Sequence, residues 1–210
     1  MSRQGDLFAG DALGSGPSVP ATPPPLLRHQ LLSWQARLGA HQAPLFARQA
    51  SEPPGQGLLF ASTLAAAADR SGPAEDPVAA AAGLDPLSLA PQSLSFWRWP
   101  SAPQQGAAVY LVIDRPADPA PPLLLYVGET GRADRRWKGD HDCKAYLAAY
   151  GEALAAADLS ARLSIRFWLD VPTATGPRRA LEQALIRRWL PPFNKETRGR
   201  WATPFTADSD

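Results

Sequence analysis

Cysteine is nearly absent from this chain: Cys143 is the only one. A single thiol excludes an internal disulfide framework and a cysteine-rich zinc site, and it suits a reducing cytoplasm, which is the expected location. Long apolar runs are missing too, since none approaches the ~20 residues that a membrane-crossing helix needs. The opening stretch from Met1 to Gly16 is polar and glycine-rich, so no secretory leader is expected. An excess of one charge is also lacking. The 21 Lys and Arg face 20 Asp and Glu, a net of +1, and the whole chain therefore shows no electrostatic preference for a phosphate-rich partner. What remains is a chain of 210 residues, 45% hydrophobic. That is enough for one compact domain with a sizeable extra segment, or for two small domains.

The two halves differ in character. Residues 1–103 hold 14 of the 23 prolines and 9 of the 16 glycines, in stretches such as SGPSVPATPPP and RSGPAEDPVAAAAGLDP. Proline removes a backbone donor and fixes φ, so such stretches resist sheets and long helices. One exception is Leu26 to Leu38, where Leu27, Leu31, Trp34 and Leu38 recur at helical spacing. The expectation is a largely flexible Pro/Ala-rich region over 1–103 with one short helix.

From Ala107 onward the pattern tightens. AVYLVI is a strand of β-branched and aromatic residues, DRPADPAPP a loop, and LLLYVGET a second strand, together an antiparallel hairpin. A helical stretch over Ala133 to Ala157 follows, then a third strand, Leu163 to Val171. Pro177 opens a last helix that runs to Leu190, and Pro191-Pro192 stops it. The order β-β-α-β-α predicts an α+β domain over 104–203 with a small three-stranded antiparallel sheet, then a tail over 204–210.

Charge concentrates in this half. Between Tyr126 and Trp201 there are 14 Lys and Arg against 9 Asp and Glu, which suits a phosphate-rich partner. In the same half lies an ordered set of residues. Tyr110 falls in Ala108-Val109-Tyr110 and Tyr126 in Tyr126-Val127-Gly128; Arg136 follows ten residues after Tyr126; Glu182 lies on the last helix, and Asn194 just past the Pro-Pro stop in PPFNK.

This ordered set resembles the GIY-YIG nuclease superfamily, and LEQALIRRWLPPFN is very like that family's C-terminal signature. The resemblance covers about 90 residues, less than half of the chain. It implies a metal-dependent endonuclease that hydrolyses phosphodiester bonds, of DNA in the first instance. Glu182 would bind Mg²⁺ or Mn²⁺, a hard cation content with one or two carboxylates. Arg136 would hold the scissile phosphate with its guanidinium fork. Tyr110 would act as general base or orient the water, assisted by Tyr126, although a phenol of pKa about 10 is a poor base unless neighbours lower it. Asn194 would fix the geometry. His141, five residues after Arg136, is a further candidate, shifted by one from where some members carry a histidine. Arg132, Arg135, Lys138 and Lys195 are candidates for nucleic-acid contacts. The first motif has Ala108 where the family has glycine.

Each residue also has a plainer reading. A strand tyrosine is more often a core aromatic than a catalyst. Arg178, Arg179, Arg187 and Arg188 are expected as a solvated helix face. Glu182, flanked by Leu181, Leu185 and Ile186, lies too close to the apolar stripe to be a casual surface charge. Cys143 beside Asp140, His141 and Asp142 matches no ligand spacing.

The N-terminal half contains Gln-x-x-Leu-Phe three times, at Gln4-Leu7-Phe8, Gln42-Leu45-Phe46 and Gln56-Leu59-Phe60. Three of the seven phenylalanines close this pattern, which argues against chance. The pentapeptides resemble the motif by which bacterial proteins bind the DNA polymerase sliding clamp. That implies recruitment to DNA, and to the nucleoid, through apolar anchors in an unstructured segment. The plainer alternative is that the Leu-Phe pairs tuck onto the protein's own core. For the function as a whole, the alternative is a GIY-YIG-like module that binds nucleic acid or protein without cutting.

Overall fold

The structure, a computed structural model, describes residues 26–51, 76–95, 104–136 and 142–205. Helix α1 spans Arg28–Ser51 and the short α2 Pro77–Gly83. Strands β1 (Ala108–Asp114) and β2 (Leu123–Thr130) come next, then α3 (Asp142–Ala156), β3 (Leu163–Trp168) and α4 (Thr175–Trp189). The strands form one antiparallel sheet in the order β2-β1-β3. The expected α+β class and three-stranded sheet are the ones found. Among the described residues no helix is long and apolar enough to cross a membrane.

All seven residues of β1 are buried, because the central strand is covered on both faces. Ala108, Tyr110 and Val112 face a core built with Leu31, Trp34 and Leu38 of α1 and Leu147, Tyr150 and Leu154 of α3. The alternate residues Val109, Leu111 and Ile113 face Leu181, Leu185 and Trp189 of α4, with Ala81 of α2 and Phe46 of α1. Covering both faces explains why AVYLVI is a continuous apolar run rather than an alternating one. Two parts of the chain before residue 104 thus pack into the same cores as the strands.

Helix α1 differs from the sequence expectation. It does not stop near Leu38 but runs through Pro44 to Ser51. Leu27 precedes the helix and is 54% exposed, so it is no part of the buried stripe. Pro44 sits on the exposed side while Gln42 and Phe46, two residues to either side, are buried. Tertiary packing of that stripe outweighs the local cost of an interior proline. The helix begins on the α3 face of the sheet and ends on the α4 face, so it wraps the β2 edge. Gly39 marks the close approach: a Cβ there would lie 2.8 Å from Pro121 Cγ.

Residues 76–95 are likewise ordered rather than flexible. The Asp76 side chain caps α2 by accepting from Val78 N at 2.9 Å. Gln92 bridges to Ile165 beside β3, and the buried Arg166 donates to the carbonyls of Leu87 and Leu89. Of the helix expected over Ala133 to Ala157, the described part is α3 from Asp142 to Ala156, and Ala133 lies in a turn.

An edge strand leaves one row of backbone N–H and C=O groups unpaired. On β2 these groups are taken by other parts of the chain. Gln42 Nε2 donates to Leu124 O at 3.0 Å and its Oε1 accepts from Leu124 N at 2.8 Å. Phe193 N donates to Leu125 O at 3.0 Å. Asn194 Oδ1 accepts from Val127 N at 2.9 Å while its Nδ2 donates to Val127 O at 2.8 Å. Glu182 Oε1 takes Glu129 N at 3.0 Å.

Candidate functional site

Hairpin register decides the first contact. Tyr110 of β1 lies directly opposite Gly128 of β2. A Cβ on Gly128 would meet Tyr110 Cζ and Oη at 2.4 Å and Tyr126 Cε1 at 2.8 Å. No other residue type leaves room for the phenol where it lies. The rings of Tyr110 and Tyr126 are 6.0 Å apart between centroids, and Phe167 of β3 lies 6.0 Å from Tyr110 on its other side.

Arg136, in the turn after β2, donates from Nε to Tyr110 Oη at 3.0 Å, with its guanidinium carbon 6.0 Å from the centre of the Tyr110 ring. Residues far apart in sequence, Tyr110, Tyr126 and Arg136, therefore form one cluster, and Arg136 keeps an exposed surface for a ligand. Burial pushes the Tyr110 phenol up to about 12, against the pull of Arg136, and burial raises Tyr126 as well. At neutral pH both phenols are protonated. A protonated phenol at Tyr110 can hold and orient the Arg136 guanidinium.

Glu182 reaches the same end of β2 from the first turns of α4. Burial, and then the neighbouring Glu129 carboxylate, push its carboxyl up to about 7, against the Glu129 N–H and the Arg136 charge. Arg136 and Glu182 thus feel one another across the end of the strand. Asn194 is 4% exposed, and both amide atoms are committed to the backbone of Val127. It positions β2 rather than facing a substrate, which refines the catalytic role expected for it. Among the described residues no group of three His, Cys, Asp or Glu side chains could hold a metal ion.

Of the other expected contact residues, Arg132, Arg135 and Lys195 are exposed, and Arg135 pairs with Asp134 at 3.6 Å. His141 and Lys138 lie outside the described residues, as do the pentapeptides at Gln4-Leu7-Phe8 and Gln56-Leu59-Phe60. The middle pentapeptide is described, and it corrects the docking expectation. Gln42 is 0% and Phe46 6% exposed, Leu45 is half-buried, and the Phe46 ring lies 4.6 Å from that of Trp189. A side chain that closes an edge strand and another that fills the core leave no anchor to offer a partner. Here the plainer reading is the one realised.

Arg178 corrects a second expectation. Arg179 and Arg187 do face solvent, but Arg178 is 2% exposed. Its Nε reaches Glu129 Oε2 at 2.7 Å. Sequence reasoning missed Glu129 and Arg178, and it treated Gly128 as part of a tripeptide rather than as space for Tyr110. The signal was present for Gly128, which the hairpin places opposite Tyr110 once the register is known. For Arg178 the signal was helical spacing, three and seven residues before Leu181 and Leu185, although its neighbours Arg179, Pro177 and Gly176 are all exposed. Comparison with family models, with curated proteins and with solved structures returned no match.

Proposed function

We propose that this domain is a metal-dependent endonuclease that hydrolyses nucleic-acid phosphodiester bonds, DNA in the first instance. One observation carries the reading. A tyrosine pair, an accessible arginine and a carboxylate with a raised pKa, spread over 72 residues of sequence from Tyr110 to Glu182, converge at one end of β2.

The donor set fits a hard divalent cation. Glu182 uses Oε1 for the Glu129 N–H, and a carboxylate pushed up to about 7 by burial and a like charge is one that a cation would relieve. One carboxylate with water completing the shell is a usual arrangement for Mg²⁺. When bound, Mg²⁺ or Mn²⁺ supplies charge neutralisation at the phosphate and acidifies its own water. The chain's own groups do the rest. Arg136 would pair with two phosphate oxygens through its Nη groups, while Tyr110 Oη fixes the guanidinium plane through Nε. The Tyr126 ring lies beside that of Tyr110, 6.0 Å between centroids. Asn194 sets the height of β2, and so of Glu129 and Glu182. Arg132, Arg135 and Lys195 are the exposed cations for the flanking backbone. Recruitment by a sliding clamp rests on the pentapeptides at 4–8 and 56–60 alone.

Plasmid and branched-DNA cleavage with Mg²⁺ or Mn²⁺ tests the reading. Wild-type protein is expected to cut. Glu182→Ala is expected to fall to background and Arg136→Ala to lose on the order of 10²–10³-fold. Wild-type binding of DNA without cleavage on any substrate would favour a non-cutting module instead, and unchanged cleavage by Glu182→Ala would remove the mechanism.

A further inference from the structure

Glu129 has no role in the chemistry just described, yet Glu182 rests against it. Arg178 and Glu182 lie one turn apart on α4, hence on one face of the helix, and Glu129 meets both. Its N–H donates to Glu182 Oε1 at 3.0 Å, and its carboxylate receives Arg178 Nε at 2.7 Å and Arg179 Nε at 3.4 Å. Arg178 is itself fixed. Its Nη1 donates to Thr173 O at 2.6 Å and Pro172 O at 3.2 Å, and its Nη2 to Thr175 Oγ1 at 3.4 Å. The Arg178 side chain is 3% exposed and that of Glu129 14%, against 68% for Arg179.

A buried ion pair is a poor way to add stability, because desolvation offsets most of the attraction. Its value lies in geometry: a planar guanidinium fork with four acceptors allows one arrangement only. Here that arrangement locks the end of β2 to the first turn of α4. A glutamate side chain is long and has free torsions, and this one is given a single direction by the Glu129 N–H. We propose that the Glu129–Arg178 pair is a positioning brace that holds the Glu182 carboxylate in its metal-accepting orientation. This rests on the reading of Glu182 as the metal carboxylate. Glu129 and Arg178 are positioning residues and touch neither substrate nor metal. Outer partners of this kind commonly set metal affinity or activity by 10–100-fold.

The full-length protein is titrated with Mn²⁺ and followed by electron paramagnetic resonance, and kcat and KM are measured on supercoiled plasmid at one fixed pH. Thermal unfolding is recorded beside them. The expected result for Arg178→Met and Glu129→Gln is Mn²⁺ affinity weaker by about tenfold or more. Plasmid KM stays within about twofold, since the exposed phosphate contacts remain, and the loss falls on kcat. Arg178→Lys, which keeps the charge and loses the fork, is expected between Arg178→Met and wild type. If Arg178→Met does not fold, Glu129→Gln carries the test, because it keeps the backbone N–H and the side-chain shape. Folded variants with wild-type Mn²⁺ affinity and kcat, and only a lower Tm, would overturn the brace. Two controls separate the inference from the reading beneath it. Wild-type Mn²⁺ binding that Glu182→Ala abolishes, but that the brace variants leave unchanged, overturns the brace alone. Wild-type protein that neither binds Mn²⁺ nor cuts overturns both.

Discussion

The outer edge of β2 is closed by the same device at two places. At one end a side-chain amide, Gln42, takes both the N–H and the C=O of Leu124; at the other, Asn194 takes both of Val127. The two amides are equally buried, at 0% and 4% exposure. What lies beyond them differs. Gln42 also donates to Trp189 O at 3.0 Å, so its end of the strand leads only into the core. Past Asn194, two residues along the strand, is Glu129, which holds Glu182 and, through Arg178, the start of α4. Each amide closes the strand with the same pair of hydrogen bonds, one beside the core and the other beside the candidate site. Residue type and burial do not tell the two ends of the strand apart; the next contact does.

Gly128 is where the largest effect is expected. At the site end the backbone has no room to change, because a Cβ there falls 2.4 Å from the Tyr110 phenol. The ring must swing, carrying off the partner of Arg136. Gly128→Ala is therefore expected to lose about 10²-fold in cleavage, as a misplacement of ~1 Å at a reacting centre does. A plasmid assay on folded protein decides it. Cleavage within a few-fold of wild type would mean that the phenol does not need its present seat.

The two amides come next, and they are expected to part company. Gln42→Ala strips partners from two groups of Leu124 and from Trp189 O, and unpartnered buried groups cost about 1–3 kcal/mol each. A loss of about 3 kcal/mol, or roughly 6–12 °C in Tm at this chain length, is expected, with kcat per folded molecule near wild type. Asn194→Ala strips two groups and is expected to cost about 2 kcal/mol and to lower kcat by about tenfold, since it frees the strand that carries Glu129. Should both variants lower kcat alike, the division of β2 into a structural end and a site end fails.

The same contrast explains how far the sequence could be read. β1 and β2 were legible from β-branched and aromatic runs, and their observed bounds, Ala108–Asp114 and Leu123–Thr130, lie within a residue of the pattern. The convergence of Tyr110, Tyr126, Arg136 and Glu182 near one end of β2 was foreshadowed by their order in the sequence, because each motif names a position on an element. The second half of α1 was not. Pro44 and the Gln-x-x-Leu-Phe pattern both argue locally for an unstructured docking segment, and only the β2 edge, 82 residues away at Leu124, makes Gln42 and Phe46 worth burying. Arg178 was only half legible for a related reason. Helical spacing places it on the stripe of Leu181 and Leu185, but the partner that makes a buried arginine tolerable, Glu129, lies 49 residues earlier.

The smallest effect expected is a pH dependence confined to the site end. Gln42 and Asn194 do not titrate, whereas Glu182 is pushed from 4.5 up to about 7, first by burial and then by Glu129. Below pH 4.5 the carboxyl is protonated in both folded and unfolded chains and makes no difference. Between 4.5 and 7 the unfolded chain releases the proton while the folded chain keeps it, so stability falls as pH rises. Above 7 the cost is present in full. Solvent reaching this partly exposed carboxyl reduces that cost to roughly 1 kcal/mol. Glu182→Gln keeps the acceptor for Glu129 N and removes the titration. In metal-free protein its Tm is expected to match wild type near pH 4.5 and to exceed it at pH 8 by about 2–4 °C. Asp114, which burial also raises, is common to both proteins and cancels in the difference. Gln42→Ala is expected to lower Tm by the same amount at both pH values. A Glu182→Gln difference that does not change with pH would place the carboxyl in ordinary solvent, and the distinction between the two ends of β2 would then rest on geometry alone.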